Sequence, residues 1–247
     1  MDTNPSGTAV SGYGTGGGGG RVAIVTGASR GLGYELTRRL AADGWRVVVD
    51  ARDGDALRQA VAGLGPAVTA VPGDVTDAGH RESLVAAARA AGELALLVNN
   101  ASTLGPTPLP RLERYPLAAL RELFEANVLA PLALAQACLP TLAAAGGAVV
   151  NVTSDAAVEG YEGWGGYGSS KAALEQLSRV LAAEHPEVRV YWVDPGDMNT
   201  RMQQEAFPGE DVSDRPPPSA SVPGILRLVD ARLPSGRYRA RDVGVPG

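Results

Sequence analysis

The chain has 247 residues, of which 45% are hydrophobic and 20% charged, a length that suits one large domain or two small ones. The formal net charge of −5 argues against nucleic acid and anionic membranes as main partners, because a polyanion repels an acidic protein. A single cysteine, Cys138, excludes an internal disulfide and a thiolate metal site. The two histidines, His80 and His185, lack the spacing of metal ligands and are expected at the surface, so we predict no metal centre.

No run of 18 apolar residues occurs, so the sequence predicts no transmembrane helix. The N-terminus lacks the basic and apolar blocks of a signal peptide, and we therefore expect a reducing, cytoplasmic setting. Residues 1–20 are rich in Gly, Ser and Thr and carry too little apolar surface to offset the entropy lost on ordering. They are predicted to form a disordered tail that precedes one domain over residues 21–247.

From residue 21 onward, short apolar runs alternate with amphipathic stretches. The predicted strands span residues 22–26, 46–51, 67–71, 94–101, 147–154, 188–196 and 237–240. The predicted helices include one that carries Leu32, Leu36 and Leu40 on one face, a second near 56–64, and others over 78–91, 117–126, 128–145, 168–184 and 222–230. Strand runs that are apolar on both faces are typical of a parallel sheet covered by helices on both sides. The sequence therefore predicts one doubly wound α/β domain, a Rossmann-type sheet in three α/β/α layers that binds ligands at the carboxyl ends of its strands.

The first predicted strand runs into a glycine loop that opens the first helix. Glycines let backbone N–H groups approach a pyrophosphate, and the N-terminus of a helix adds positive potential. Three glycines at the first strand-to-helix turn therefore predict a dinucleotide site. Its residues are Gly27, Ser29, Arg30, Gly31, Leu32 and Gly33.

A segment rich in Pro, Ser and charge, residues 203–224, follows the sixth predicted strand. It has few apolar anchors, which fits a surface linker. It also directly follows a strand end, where this fold binds ligands, and this fits a mobile flap over the site equally well. We assign residues 197–224 to a flap on the substrate side.

Tyr167 and Lys171 lie four residues apart and would share one face of a helix. Free tyrosine has a pKa of about 10, so proton transfer near neutral pH needs a lower pKa, and a nearby cation would favour the phenolate. Lys171 is the only lysine in the chain. Ser154 ends the predicted strand 147–154, at the sheet edge where this fold places its chemistry. These three side chains predict a site for acid–base catalysis.

Together these motifs resemble those of the short-chain dehydrogenases/reductases. The matching stretches are TGASRGLG (26–33), GDVTD (73–77), NNAS (99–102), YGSSK (167–171) and DPGDMNT (194–200), and the resemblance covers residues 21–200 in order. It implies an oxidoreductase that transfers hydride between a nicotinamide cofactor and a small-molecule carbonyl/alcohol substrate. Ser102 stands where the family more often has glycine.

The resemblance also implies roles for individual residues. Ser154 would hydrogen-bond the substrate carbonyl, and Tyr167 would give and take the proton. Lys171 would bind the ribose and lower the pKa of Tyr167, while Asn127 would hold a water that links Lys171 to bulk solvent. The cofactor contacts implied outside the glycine loop are Arg52, Asp74, Val75, Asn100, Ala101, Tyr167, Lys171, Pro195, Gly196 and Thr200.

The end of the second predicted strand bears on which nicotinamide cofactor binds. An acid there would accept a bond from the ribose 2′-hydroxyl and repel a 2′-phosphate. In the alignment that the resemblance implies, Ala51 takes the acidic position and Arg52 the phosphate-binding one, and Arg30 is a second cation close by. NADP is therefore favoured, while Asp50 keeps NAD as an alternative.

The sequence supports two other functions less well than an enzyme of this kind. A nucleotide-sensing binding protein on the same fold need not keep the reactive groups, whereas all four catalytic positions are filled here. A sugar-nucleotide epimerase usually needs a larger C-terminal domain than the roughly 50 residues after Gly196. The substrate pocket is expected to be partly apolar with little attraction for anions. Family members commonly pair long helices, here 117–145 and 168–184, so a homodimer or homotetramer is expected.

Overall fold

The computed structural model describes residues 20–244. The predicted disordered tail therefore lies outside the described residues except for Gly20, and it stays a prediction. Seven strands form one sheet: β1 (Arg21–Val25), β2 (Arg46–Val49), β3 (Val68–Ala70), β4 (Glu93–Asn99), β5 (Ala148–Val152), β6 (Arg189–Asp194) and β7 (Gly236–Arg239). All neighbouring strands pair in parallel, in the order β3-β2-β1-β4-β5-β6-β7. The strand order reverses between β1 and β4, and folds of this kind bind ligands beside such a reversal.

Eight helices flank the sheet in the described part of the chain: α1 (Gly31–Ala42), α2 (Gly54–Val61), α3 (Ala78–Ala91), α4 (Leu117–Phe124), α5 (Ala130–Ala145), α6 (Gly165–Glu184), α7 (Arg201–Ala206) and α8 (Val222–Asp230). Successive β1 side chains point to opposite faces, so Val25 packs with one set of helices and Ile24 with another. Leucines of α1, α2 and α8 cover the first face, and apolar residues of α3, α5 and α6 cover the second. The predicted three-layer α/β/α fold is confirmed.

Two helical segments differ from the prediction. The helix predicted over 168–184 begins three residues earlier, at Gly165, so Tyr167 lies in its first turn. The two helices predicted over 117–126 and 128–145 join through a π-helical turn, Glu125–Leu129, into one continuous helix. Such widened turns are frequent at functional sites, and this one carries Asn127.

The continuous helix Leu117–Ala145 is long and apolar enough, by length and composition alone, to cross a membrane. Polar residues such as Asn127 and Gln136 interrupt its apolar residues, so no uninterrupted run of 18 apolar residues occurs. The sequence therefore did not indicate that this helix could span a membrane. In the fold, its residues Leu134, Cys138 and Leu142 are buried against the sheet. The core helix of a domain meets the same criteria as a membrane span, so one such helix is weak evidence for a membrane. Cys138 is fully buried as predicted, and burial raises the pKa of its thiol to about 12.

Candidate active site

A cleft of about 1750 Å³ opens at the carboxyl ends of the strands and extends from the start of α1 to α7. Pockets for single small ligands usually measure roughly 300–1000 Å³, so this cleft has room for a dinucleotide and a second molecule. The predicted site residues that line it are Gly27, Ser29, Arg30, Gly31, Leu32, Arg52, Asp74, Val75, Asn100, Ala101, Ser154, Tyr167, Lys171, Pro195, Gly196 and Thr200. Gly33 and Asn127 lie behind its wall.

The glycine loop has the backbone that its sequence predicts. Gly27 and Gly31 adopt φ angles of +69° and +58°, which residues with a side chain rarely adopt. Gly33 has a different role, because a Cβ at this position would collide with the Gly27 carbonyl and lie 2.5 Å from Asn100 Nδ2. Gly33 therefore lets α1 pack directly onto the loop and does not itself face the cleft.

The N-terminus of α1 faces the cleft without a side-chain cap. The residue that precedes the helix, Arg30, makes no capping hydrogen bond, and the first turn holds no acidic residue. The first N–H groups of a helix have no partner inside the helix, and the helix dipole makes this end attractive to anions. The residues present thus fit a dinucleotide pyrophosphate.

The segment 99–102 holds the glycine loop from the next strand in the sheet. Thr26 Oγ1 accepts hydrogen bonds of 3.0 Å from the N–H groups of Asn100 and Ala101. Asn100 Nδ2 in turn donates to the carbonyls of Thr26 (2.8 Å) and Gly27 (3.2 Å). The Asn100 side chain therefore braces the loop.

At the far end of the cleft, the end of β2 meets the start of α3. Asp50 is 1% exposed, and its Oδ1 accepts a hydrogen bond of 2.8 Å from the N–H of Gly27. Its Oδ2 lies 3.0 Å from His80 Nε2. The prediction that His80 lies at the surface is wrong: its side chain is 8% exposed, since it occupies the inward face of the first turn of α3 although its sequence neighbours are polar. His185 is more exposed and pairs with Glu187.

Two arginines flank this acid and histidine pair. Arg30 and Arg52 are both exposed and line the cleft. Within residues 20–244 neither side chain has a carboxylate partner. The neighbouring Asp53 is occupied as the cap of α2, where Oδ1 accepts from the N–H of Ala56. This end of the cleft thus offers two cations for an anionic group.

At the other end, the predicted catalytic side chains converge from two elements. Ser154 follows β5, and Tyr167 and Lys171 lie on the first two turns of α6. Lys171 is 2% exposed, its Nζ donates a 2.9 Å hydrogen bond to the Val152 carbonyl, and this Nζ lies 5.5 Å from the centre of the Tyr167 ring. Burial lowers the pKa of Lys171 to about 8.

The expectation that Tyr167 has a lowered pKa is wrong for the chain itself. Burial raises the pKa of the phenol above its usual value, and the charges of Asp155 and Asp194 act in the same direction. A hydrogen bond with the Ser102 side chain opposes them and is too weak to reverse the shift. The ring is 8% exposed and packs against Leu104, so desolvation of a phenolate is the main cause of the raised pKa.

Asp155 is a site residue that the sequence reasoning missed. Ser154 Oγ donates a 2.8 Å hydrogen bond to Asp155 Oδ1, and the Tyr161 hydroxyl donates to Asp155 Oδ2 at 3.1 Å. The sequence feature that could have indicated Asp155 is an acidic residue directly after the predicted Ser154, in the loop at the end of β5. The carboxylate therefore contacts the hydroxyl groups of Ser154 and Tyr161, and its negative charge helps to raise the pKa of Tyr167.

Comparison with known proteins identifies the family of the chain. A family model described as short chain dehydrogenase matches residues 21–211. The chain belongs to the short-chain dehydrogenase family. Its members act on CH–OH and C=O groups, and this chain is an oxidoreductase of that kind.

Named relatives and solved structures support the same family. The chain is 37% identical over 212 residues to sepiapterin reductase of Meriones unguiculatus, covering 78% of this chain and 79% of the relative. It is 35% identical over 233 residues to a 3-oxoacyl-(acyl-carrier-protein) reductase of rhamnolipid biosynthesis from Pseudomonas aeruginosa, covering 89% and 84%. A short chain dehydrogenase from Shigella flexneri, solved in complex with NADP, aligns with a TM-score of 0.83 and 28% identity over 90% of this chain and 98% of that chain.

In the present chain, Asn127 is fully buried, and its amide oxygen and amide nitrogen each bond two protein groups. Its Oδ1 accepts from the N–H of Thr103 (2.9 Å) and from Ser102 Oγ (3.1 Å). Its Nδ2 donates to the Thr103 carbonyl (2.9 Å) and to Ser170 Oγ (3.0 Å). Among the described residues the amide makes no bond to Lys171. It joins the loop after β4 to α6, and its role toward a water stays a prediction.

A buried polar network behind the cleft also escaped the sequence reasoning. Thr153 is 2% exposed, and its Oγ1 donates to Glu175 Oε1 at 2.9 Å. Arg237 on β7 binds the same carboxylate at 2.9 Å and the Ser154 carbonyl at 3.1 Å. This network fixes the backbone of Ser154. Because Glu175 and Arg237 lie 62 residues apart in the chain, no local sequence pattern indicates it.

The segment 197–224 is more ordered than its composition predicted. It contains α7, which Thr200 caps by accepting a hydrogen bond from the N–H of Gln203. Val212 is 4% exposed and anchors the loop. On the cleft side, Phe207 packs against Trp164 with ring centres 5.8 Å apart. The segment therefore forms a partly apolar wall opposite Tyr167, and its motion as a flap stays a prediction.

Proposed function

We propose that this oxidoreductase uses NADP to interconvert a carbonyl and an alcohol, with Tyr167 as the general acid/base. The observation that carries the proposal is the convergence of Ser154, Tyr167 and Lys171 in the same cleft as the uncapped N-terminus of α1. When bound, the nicotinamide supplies or accepts the hydride. The protein therefore has to hold the cofactor, orient the substrate and move one proton.

The proposed proton transfer follows from the state of each group. Ser154 Oγ–H polarises the substrate oxygen, and for this it turns from Asp155 toward the substrate. The raised pKa keeps Tyr167 protonated at neutral pH, which suits a proton donor in carbonyl reduction. Lys171, with its pKa near 8, exchanges protons close to neutral pH and has N–H donors left for a ribose hydroxyl after its bond to Val152. The reductive direction is therefore the proposed one.

The preference for NADP rests on the charges around the end of β2. Arg30 and Arg52 face the cleft without carboxylate partners in the described residues, while Asp50 is already engaged by Gly27 and His80. Exposed arginines suit a 2′-phosphate, and an acid that is buried with a partner at each oxygen is poorly placed to accept a bond from the ribose hydroxyl. The NADP complex of the Shigella flexneri relative supports the same preference.

For the substrate we propose an uncharged carbonyl compound. The substrate side of the cleft combines apolar side chains, Trp164, Met202 and Phe207, with the carboxylates of Asp155 and Asp197. Carboxylates repel anionic substrates. The relatives named above are reductases of different carbonyl compounds, so their names do not choose one substrate for this chain.

The test is NADPH oxidation over a panel of ketones, aldehydes and quinones, with NADH in parallel. We expect turnover with NADPH for some uncharged members. Tyr167→Phe should abolish turnover and leave NADP binding, followed by tryptophan fluorescence, largely intact, while the distant Tyr238→Phe keeps both. An active Tyr167→Phe enzyme would remove Tyr167 from the mechanism. Tight cofactor binding with no turnover on any carbonyl would favour a nucleotide-sensing protein instead.

We also propose a cytoplasmic setting, a homodimer or homotetramer, and a flap role for residues 197–224. The lone cysteine, Cys138, is buried and unpaired, which suits the reducing setting proposed first. Exposed leucines on the long helix support the second. The position of α7 along the cleft supports the third.

A further inference from the structure

Asp50 lies at the end of β2, where an acid would read the ribose diol, yet it is almost completely covered. Its side chain is 1% exposed although Asp50 and its neighbours Ala51 and Arg52 border the cleft. Gly27 N–H occupies Oδ1 at 2.8 Å and His80 Nε2 approaches Oδ2 at 3.0 Å. An ionised carboxylate only accepts hydrogen bonds, so Nε2 carries the hydrogen in this pair.

The histidine is itself held in place from two sides. The backbone N–H of His80 donates a hydrogen bond of 2.7 Å to Asp77 Oδ1, and this carboxylate caps the N-terminus of α3. Its ring packs on Gly73, where a Cβ would collide with Nδ1. The ring thus stands behind the cleft wall, between the end of β2 and the segment GDVTD. The charged groups around the pair are Asp74, Arg52, Asp77 and Arg81.

We propose that His80 is a specificity-determining residue that secures the choice of NADP by withholding Asp50 from the ribose. The proposal rests on the proposed use of NADP. With His80 present, Asp50 binds the glycine loop and the imidazole, and the exposed cations Arg30 and Arg52 define the site. Without the imidazole donor, Oδ2 becomes free to accept a bond from a ribose hydroxyl, and its uncompensated charge repels a 2′-phosphate.

A matched pair of amide variants tests this inference. In His80→Gln the amide nitrogen takes the place of Nε2 and keeps the bond to Asp50, whereas the shorter His80→Asn does not reach Oδ2. Both variants are polar and of similar size. The dissociation constants of NADP⁺ and NAD⁺ are measured on the full chain by calorimetry, and their ratio is the readout. The other histidine supplies the control, His185→Asn, since it lies far from the cleft at the end of α6.

We expect His80→Asn to shift the ratio toward NAD⁺ by about tenfold or more, and His80→Gln and His185→Asn to leave it near the wild-type value. The double variant Asp50→Asn/His80→Asn should recover the preference for NADP⁺, because it lacks the freed acid. If His80→Asn weakens both cofactors equally and leaves the ratio unchanged, His80 only supports the fold and the inference is wrong. The wild-type ratio tests the proposed cofactor separately, since tighter binding of NAD⁺ there would overturn the use of NADP itself.

Discussion

At the proposed reaction centre, Lys171 is placed where an ammonium group is costly. The side chain is 2% exposed, has one carbonyl partner, and has no carboxylate partner in the described residues. Burial lowers its pKa from 10.5 to about 8. A shift of this size corresponds to about 3 kcal/mol of destabilisation while the lysine is charged. A buried charged lysine lowers the stability of the protein here, which favours a functional role for Lys171 over a purely structural one.

Lys171→Met should stabilise the cofactor-free protein and abolish its activity. At pH 7 we expect the free energy of unfolding to rise by about 1–3 kcal/mol, because the relief of desolvation is partly offset by the lost bond to the Val152 carbonyl. Below the folded pKa of about 8 the penalty is complete, and it disappears as the pH rises to 10.5, the unfolded value. Urea denaturation of both proteins at pH 7 and pH 10 measures this. A variant less stable at pH 7 would contradict the assigned burial cost.

Positions in the candidate site were predictable only where the residues lie on a motif. The sequence located Ser154, Tyr167 and Lys171, because their spacing and the strand end are local features. It missed the contacts of Asp155 and misjudged the pKa of Tyr167, because desolvation depends on packing from distant segments such as the one carrying Leu104. It also placed His80 at the surface, since polar neighbours along the chain do not report which face of a helix turn points inward.

At the level of elements, the packing of α1 on the glycine loop depends on the missing side chain of Gly33. A methyl group there would meet the Gly27 carbonyl and Asn100 Nδ2, and neither the backbone nor the bonded amide can move freely. The start of α1 and the loop would have to separate. Because the same N-terminus offers its N–H groups to the cleft, a shift of this helix alters the cofactor site as well as the packing.

Gly33→Ala should therefore weaken NADP binding by about tenfold or more and destabilise the fold by about 1–3 kcal/mol. Gly63→Ala is the matched control: Gly63 lies in a helical turn with no atom near the position of its Cβ, and we expect both quantities to stay close to wild type. Fluorescence titration and thermal unfolding give the two readouts. Unchanged affinity in Gly33→Ala would mean that the loop adapts and that the close packing is not needed.

Element boundaries show what sequence periodicity leaves open. The alternation of strands and helices was correct, because buried parallel strands have a clear apolar signature. The start of α6 was missed, because Gly165 and Gly166 disfavour a helix by propensity. In the fold these glycines are needed for close packing, since a Cβ on them would collide with Leu112 and with the Tyr115 ring. Tertiary contact from the loop before α4 thus overrides the local preference.

At the scale of the whole molecule, the long helix Leu117–Ala145 leaves part of its apolar surface exposed. Leu117 is 66% and Leu129 47% exposed, and Val180 on α6, against which α4 packs, is 43% exposed. Large apolar side chains exposed on neighbouring helices are typical of a surface that contacts lipid or protein. The net charge of −5 and the buried inner face of α5 favour protein. A second copy of the chain is the partner that the family resemblance leads us to expect.

Val180→Glu and Leu129→Glu should each convert an assembled protein into monomers, because a charge at the centre of an apolar interface is left unpaired. Light scattering after size-exclusion chromatography should give the mass of a dimer or tetramer for the wild type. Val158→Glu, equally exposed but in the loop after β5, should leave that mass unchanged. NADP titration of the monomeric variants then separates assembly from function, since the described cleft is built from one chain and should still bind. A monomeric wild type, or an unchanged mass in both helix variants, would mean that these helices do not form the interface.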